Sequence, residues 1–180
     1  TAVSSNNIQG MEDLVKYIYG QGHRKIAYIH GQQASYVTKD RLASFYRTVD
    51  ELGLKIPDEY IRTADYLETR EAAKQTKELL NLEDPPTCII YPDDTSLIGR
   101  NVIIEMGLRI PQDISIAGYD GTRMSQLLHP QLTTIRQDTE LIGSEAAKRL
   151  IGSIEKPRTT LVERVVIEGI LVAGKSVGRI

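Results

Sequence analysis

Acidic residues stand at the ends of three segments whose apolar or β-branched composition predicts strands. They are Asp65, the pair Asp93 and Asp94, and Asp120. A carboxylate accepts hydrogen bonds from hydroxyl groups, so acids gathered in one place can hold a polar ligand. Tyr66 and Tyr119 stand beside two of these acids, and aromatic rings can cover the apolar faces of such a ligand.

Arg41 adds a positively charged group to the same set of loops. It lies in the first turn of a predicted helix that follows the strand ending near Ile29. A guanidinium donates hydrogen bonds in a fixed fork. Acids, an arginine and aromatic rings in one crevice suit a polyhydroxylated or heterocyclic ligand.

Each of these side chains also has a purely structural interpretation. Asp93 or Asp94 would cap the helix that follows, and Asp120 would be a turn residue. Arg41 would face solvent or join a surface ion pair, and Tyr66 would be an ordinary loop aromatic. The residue types alone leave both interpretations open.

The segments that must position these residues alternate between helical and extended periodicity. Helices are predicted from the Asn6–Asn7 pair to Gly20 and over residues 38–52, 69–80, 95–106 and 139–154, and strands over 26–29, 59–63, 87–91, 113–120, 132–137 and 160–172. This alternation predicts an α/β fold, a doubly wound parallel sheet with helices on both faces. The predicted buried faces of two helices consist of Leu42, Phe45, Tyr46, Val49, Leu52, Ala73, Thr76, Leu79 and Leu80.

A repeated motif marks one edge of this sheet. ELGLKIP occupies residues 51–57 and EMGLRIP occupies residues 105–111. In each copy the glycine ends a helix in the left-handed region and the proline prevents the helix from resuming. Each copy is therefore a hinge from helix to strand. The strand-to-helix loops, which carry the candidate residues, must collect at the opposite edge, where ligands bind in such sheets.

The composition carries no strong charge bias. The chain has 180 residues, of which 41% are hydrophobic and 26% charged, with a net charge of −2, so no broad positive field is available for nucleic acid. The single cysteine, Cys88, excludes a disulfide framework and is compatible with a cytoplasmic location. No apolar run approaches the ~20 residues that span a bilayer. The opening TAVSSNN, without initiator Met or signal segment, indicates a piece of a longer protein or a processed chain.

Motifs of the common catalytic and cofactor sites are missing from the sequence. It contains no G-x-S-x-G elbow, no Walker loop and no H-E-x-x-H, and its histidines lack metal-ligand spacing. We therefore expect no cofactor, no metal site and no catalytic residue. One enzymatic alternative stays open, in which Asp93 and Asp120 flank a glycosidic bond as acid and base.

Five phrases, taken in order, carry a resemblance to a known family. They are GHRKIAYIHG, DRLASFYRTVDELGL, PTCIIYPDD, EMGLRIPQDISIAGYDG and HPQLTTIRQDTELIGSEAAKRLI. Together they resemble the effector-binding core of the lactose/galactose repressor (LacI/GalR) family of bacterial transcription regulators. The resemblance implies a periplasmic-binding-protein-like fold with a flavodoxin-like subdomain. A small, sugar-like effector would bind in the cleft between two subdomains.

The resemblance also implies a domain organisation and partners. Residues 1–134 would form the C-terminal-type effector-binding subdomain, 135–165 a crossover helix of the other subdomain, and 166–180 a returning strand and tail. The helix-turn-helix headpiece and most of the first subdomain would be absent from this sequence. Operator DNA would then be bound only through that headpiece, and the core would form a homodimer. Neither arrangement involves a membrane.

The family pattern assigns ligand contacts to six residues: Arg41, Tyr66, Asp93, Asp94, Asp120 and Gln137. Arg41 matches an arginine that usually grips effector hydroxyls or a carboxylate, and Asp120 matches a frequent acceptor. Asp93 stands where the family often has asparagine, which adds a charge, while Asp94 more often supports the loop. Tyr66 falls where some members place an aromatic ring, and Gln137 lies at the crossover. A sugar-binding protein of a transport system is the nearest alternative, because it shares the fold.

Overall fold

The computed structural model describes residues 1–94, 96–156 and 162–180. In these ranges the helices are α1 (Asn7–Gly20), α2 (Tyr36–Glu51), α3 (Thr69–Leu80), α4 (Ser96–Glu105), α5 (Arg123–Leu127) and α6 (Thr139–Glu155). The strands are β1 (Ala2–Ser5), β2 (Ile26–His30), β3 (Ile61–Thr63), β4 (Cys88–Ile90), β5 (Ser115–Asp120), β6 (Thr133–Arg136), β7 (Arg164–Ile167) and β8 (Ile170–Val172). The predicted helix start at Thr95 and the predicted extended residues 160 and 161 lie outside the described ranges.

Six strands form what we call the main sheet, in the order β3-β2-β4-β5-β6-β8. Neighbouring strands from β3 to β6 are parallel, and β8 runs antiparallel to β6. The chain starts inside the sheet at β2, moves out to β3 and returns to β4, which is the flavodoxin-like order. The predicted doubly wound parallel sheet is therefore confirmed. The antiparallel β8 adds an edge strand that we did not predict as part of this sheet.

The remaining two strands, β1 and β7, pair in parallel and form what we call the small sheet. Helix α6 packs against β1. The strand β1 thus lies outside the main sheet, although the family resemblance implies one subdomain for residues 1–134. The division of the chain into subdomains stays a prediction.

The chain passes between the two sheets at three points, after Ser5, Arg136 and Ile167. These crossings lie side by side. The backbone N–H of Asn6 donates to the carbonyl of Ile167 at 2.8 Å, and the Asn6 side chain donates to Glu168 Oε1 at 2.9 Å. Gly169 packs so closely on the second crossing that a Cβ there would lie 2.7 Å from Ile135 Cγ2.

Helices cover both faces of the main sheet because side chains alternate along each strand. On β2, Ile26 and Tyr28 pack in the apolar cluster that includes α1 and α2, whereas Ala27 and Ile29 pack in the cluster that includes α3 and α4. The predicted inner face of α1 is fully buried and consists of Met11, Leu14, Val15 and Ile18. Burial of these two layers stabilises the edge at which the candidate residues meet.

The predicted buried faces of two helices need correction. Tyr46 on α2 is 46% exposed, because the buried face of α2 includes the polar residues Ser44 and Thr48. Counting apolar residues alone does not find such a face. On α3, Thr76 and Leu79 are buried as predicted, but the buried alanine is Ala72 rather than Ala73.

The repeated motif ends two helices as predicted. Gly53 has φ +68° and Gly107 has φ +79°, the left-handed conformation that glycine adopts at low cost. Just beyond them, the N–H of Leu54 donates to the Val49 carbonyl at 2.8 Å, and the N–H of Leu108 donates to the Ile103 carbonyl at 3.0 Å. These bonds satisfy carbonyls at the helix ends.

Candidate functional site

A pocket of about 540 Å³ lies at the carboxyl edge of the main sheet. Five of the six predicted contact residues line it: Arg41, Tyr66, Asp93, Asp120 and Gln137. Each comes from the end of, or the segment after, a different strand among β2 to β6. Parallel strands end at one edge, so residues far apart in the sequence meet there. Asp94 is not among the lining residues.

Arg41 is buried at the base of the pocket, with only 3% of its surface exposed. Its Nε donates to Asn7 Oδ1 at 2.9 Å, and its Nη1 donates to the Pro92 carbonyl at 2.8 Å. Its Cζ lies 3.5 Å from the ring centroid of Tyr119, and its Nη2 lies 4.0 Å from Asp120 Oδ1. The guanidinium therefore joins the start of α1, the loop after β4 and the end of β5.

Asp120 occupies an unusual backbone position at the end of β5. Its φ is +100°, a region that non-glycine residues rarely enter and that is often found at functional sites. Gln137 Nε2 donates to its Oδ1. Burial raises the pKa of the Asp120 carboxyl, the Arg41 guanidinium opposes that rise, and the nearby Asp94 and Asp93 charges add to it.

The turn after Asp120 requires a glycine. Gly121 has φ +64°, and a Cβ there would lie 2.4 Å from the Cα of Arg136 on the neighbouring strand β6. Its backbone N–H donates to Thr134 Oγ1 at 3.2 Å. The backbone of β6 thus fixes the direction in which the Asp120 side chain leaves the sheet.

Asp93 is also buried, with 4% of its surface exposed. Its Oδ2 accepts the backbone N–H of Leu67 at 3.2 Å. Leu67 has φ +66°, so the carboxylate holds the loop after β3 in a left-handed turn. No sequence feature indicated this backbone conformation at a leucine.

Asp94 supports a loop behind the pocket. Its Oδ2 accepts the Thr122 backbone N–H at 2.6 Å, and its Oδ1 accepts the hydroxyl of Thr134 at 3.0 Å. Burial raises the pKa of Asp94, and these hydrogen bonds oppose the rise. The carboxylate therefore joins the Thr122 loop to β6, and its place in a ligand site stays a prediction.

Tyr66 forms one side of the pocket by packing on a glycine. A Cβ at Gly31 would lie 2.5 Å from the ring carbon Cζ of Tyr66, so a larger residue there would displace the ring. The Tyr66 hydroxyl is hydrogen-bonded to Thr38 Oγ1 at 2.9 Å. The other acid of this loop, Asp65, is exposed and does not line the pocket.

Several lining residues were missed by sequence reasoning, chiefly Ser4, Ser5 and Ile142. Ser4 and Ser5 belong to β1, and Ile142 belongs to α6. Both elements are on the side of the small sheet, so the pocket has walls from both sheets. Only the path of the chain brings these walls together, and no local pattern signals it.

A second, larger cavity of about 720 Å³ adjoins the pocket. Asp120 and Gln137 line both cavities. The second cavity extends past Gly121 and Arg136 toward Thr139. The pair formed by Asp120 and Gln137 therefore stands between two spaces at the same edge of the sheet.

This arrangement can bind a polar molecule through several hydrogen bonds.

Within residues 1–94, 96–156 and 162–180 no group of His, Cys, Asp and Glu is placed to hold a metal ion. Across the same residues no helix combines the length and the apolar character that crossing a membrane requires.

Comparison with known proteins shows which chains this one is similar to. Residues 15–177 match the family model described as periplasmic binding protein-like domain. An HTH-type transcriptional repressor PurR from Aliivibrio salmonicida is 33% identical over 154 residues, which is 85% of this chain and 46% of the relative. The chain thus spans about half the length of the curated relatives it matches.

Solved structures show the same fold. A LacI-type transcriptional regulator from Bacillus cereus subsp. cytotoxis has a TM-score of 0.92 and 28% identity over 98% of this chain and 62% of its own. The transcriptional regulator CelR in complex with cellobiose has a TM-score of 0.89 and 27% identity over 97% of this chain and 53% of its own.

Proposed function

The chain belongs to the periplasmic binding protein-like domain family, and from that premise we propose that it is the effector-sensing part of a LacI-type transcriptional regulator. One observation carries the proposal. Arg41, Asp93, Asp120 and Gln137 line one pocket between the main sheet and elements of the small sheet. A ligand held there contacts both sides at once.

Binding in such a pocket couples to the relative position of the two sheets. The main sheet contributes Asp93 and Asp120, whereas β1 and α6 contribute Ser5 and Ile142. A ligand that bonds to both walls favours the closed arrangement by its difference in affinity between the closed and open forms. The family relation supports a headpiece that reads operator DNA and responds to this closure, since a relative is named an HTH-type repressor.

We propose a polar, sugar-like effector for this pocket. A volume of about 540 Å³ is within the range of small-molecule sites. The solved structure of the regulator CelR contains cellobiose, which supports a carbohydrate as the starting point of a search. The six residues Arg41, Tyr66, Asp93, Asp94, Asp120 and Gln137 remain the proposed site, with Asp94 as the supporting member.

A homodimer in the cytoplasm completes the proposal. Apolar side chains are exposed on α4 and α5, namely Ile104, Met124 and Leu127. Arg100 on α4 donates to the carbonyl of His129, which follows α5, at 3.0 Å, so we propose that the exposed apolar residues of the two helices form part of one dimer surface. Sedimentation equilibrium distinguishes a dimer from a monomer.

A thermal-shift screen of sugars, phosphosugars and nucleobases tests the sensing role. A ligand that binds only the folded chain stabilises it by mass action and so raises its melting temperature. At a ligand concentration of a hundred times Kd, the free energy of unfolding rises by about 2.7 kcal/mol. Replacing Asp120 with asparagine or Arg41 with alanine should reduce this gain. Arg47→Ala is the matched control, because Arg47 lies on the same helix but outside the pocket.

A product assay on the sugars that bind in this screen separates sensing from catalysis. Conversion of a bound sugar to product, lost in Asp120→Asn, would replace the sensor proposal with the enzymatic alternative. The relatives reported above are named regulators, which favours the sensor proposal over the enzymatic alternative.

A further inference from the structure

The pocket holds two carboxylates against one guanidinium. Among the described residues that line it, Asp93 and Asp120 are the acidic side chains and Arg41 is the positively charged one. Asp94 follows Asp93 directly in the chain. Burial raises the pKa of Asp120 most, Arg41 opposes this rise, and the charges of Asp94 and Asp93 add to it. An added cation beside Asp120 would relieve this repulsion.

The guanidinium of Arg41 already has partners within the protein. Asn7 and Pro92 accept from two of its nitrogens at 2.9 and 2.8 Å, and the third nitrogen lies 4.0 Å from Asp120. Its planar face lies against the ring of Tyr119. An anionic ligand would have to displace these contacts and would also meet two carboxylates, so the pocket disfavours acids.

Two hydroxyls on the opposite wall lack partners. The exposed fractions of Ser4 and Ser5 are 8% and 6%, both residues line the pocket, and neither Oγ has a hydrogen-bond partner among the described residues. A buried hydroxyl without a partner is costly. Successive side chains of a strand point to opposite faces, so at most one of these two hydroxyls faces the pocket, and a ligand hydroxyl on this side would satisfy that one.

We infer that the ligand of this pocket is a polyhydroxylated amine, an amino sugar being the simplest example, whose ammonium group lies between Asp93 and Asp120. This inference rests on the proposed function, because it names the class of effector that the same pocket senses. A hydroxyl group of the ligand bonds to whichever of Ser4 and Ser5 faces the pocket.

Two matched sets of sugars test the inference on the purified protein. The first set is glucosamine, glucose and glucuronate, and the second is galactosamine, galactose and galacturonate. Isothermal titration at millimolar concentration should show the amine of at least one set binding about tenfold more tightly than its neutral partner. A charge-assisted hydrogen bond is about twice as strong as a neutral one, and a difference of about 1.4 kcal/mol corresponds to tenfold in Kd. The acid should bind most weakly.

An isosteric variant identifies the carboxylate responsible. In Asp93→Asn the side-chain oxygen can still accept the Leu67 N–H, so the loop is retained while the charge is removed. The preference for the amine over the neutral sugar should fall about tenfold, and binding of the neutral sugar should change little. Asp65→Asn is the control, because Asp65 is an exposed acid of the same edge that does not line the pocket.

The outcomes separate the ligand class from the sensing role. Neutral or acidic sugars that bind as tightly as the amines would overturn the inference and leave the sensor proposal intact. An amine preference that survives Asp93→Asn would also overturn it, because Asp93 would then not hold the ammonium group. A preference that Asp65→Asn lowers as much as Asp93→Asn does would overturn it too, because the preference would then come from the general charge of the surface. Absence of binding in both sets would overturn the inference, and the thermal-shift screen of sugars, phosphosugars and nucleobases would then decide the sensor proposal separately.

Discussion

Replacing Arg41 with alanine tests how far the pocket depends on one buried cation. The substitution leaves Asn7 Oδ1 and the Pro92 carbonyl without their donor. It also removes the nearest positive charge from Asp120 and the cation that covers the Tyr119 ring. Each buried acceptor left unpaired costs about 1–3 kcal/mol, and breaking a buried charge pair costs about 3–5 kcal/mol.

Because these effects overlap, we expect Arg41→Ala to lower the free energy of unfolding by about 3–5 kcal/mol. That is a large part of the ~5–15 kcal/mol that stabilises a typical domain. The loss should shrink as the pH falls through the pKa of Asp120. Arg41 opposes the raised pKa of that carboxyl, so in the variant the pKa rises further and protonation removes the unpaired charge.

Urea unfolding at several pH values measures both effects. The matched control is Arg47→Ala, because Arg47 lies on the same helix, is half-exposed, and pairs with Glu12 at 2.9 Å and Glu51 at 3.7 Å. Surface pairs of this kind contribute about 1 kcal/mol or less. A loss for Arg41→Ala no larger than that for Arg47→Ala, or a loss that grows toward acid pH, would refute the central role of this cation.

Three further changes test other parts of the structure. Gly121→Ala should cost about 1–3 kcal/mol, because its φ is +64° and the new Cβ would meet the backbone of Arg136; urea unfolding that matches the native protein would contradict this. Burial raises the pKa of both Asp94 and Asp120. Between the ordinary carboxyl pKa and these raised values, the contribution of the two groups to the free energy of unfolding should therefore fall as the pH rises. In the variant carrying both Asp94→Asn and Asp120→Asn, the free energy of unfolding should depend less on pH. Leu14→Ala should cost about 2–5 kcal/mol, because Leu14 is fully buried between α1 and the main sheet; a smaller loss in thermal unfolding would show that the cavity collapses.

The order of helices and strands could be read from the sequence because apolar periodicity and turn residues agree. The glycines at 53 and 107 marked both hinges, and their positive φ values confirm the reason. The face of α2 could not be read in full, since Thr48 is buried although it is polar. Hydrophobicity also does not reveal that β8 runs antiparallel to β6, because partner and direction depend on the path of the chain.

The convergence of the pocket residues followed from one rule, that parallel strands end at the same edge. Arg41 and Asp120 met as that rule predicts, at 4.0 Å between Nη2 and Oδ1. The wall formed by Ser4 and Ser5 escaped prediction because both are small polar residues on a strand that pairs with distant β7. The left-handed turn at Leu67 also escaped, because a leucine gives no signal for it.

The three crossings between the sheets restrict how the two bodies can move. The first and third crossings are bonded to each other, since Asn6 donates to both Ile167 and Glu168. Three neighbouring links favour rotation of one sheet relative to the other about the crossings over sliding. We expect the mouth of the pocket to widen and narrow by that rotation, so a molecule bonded to both walls would set its angle.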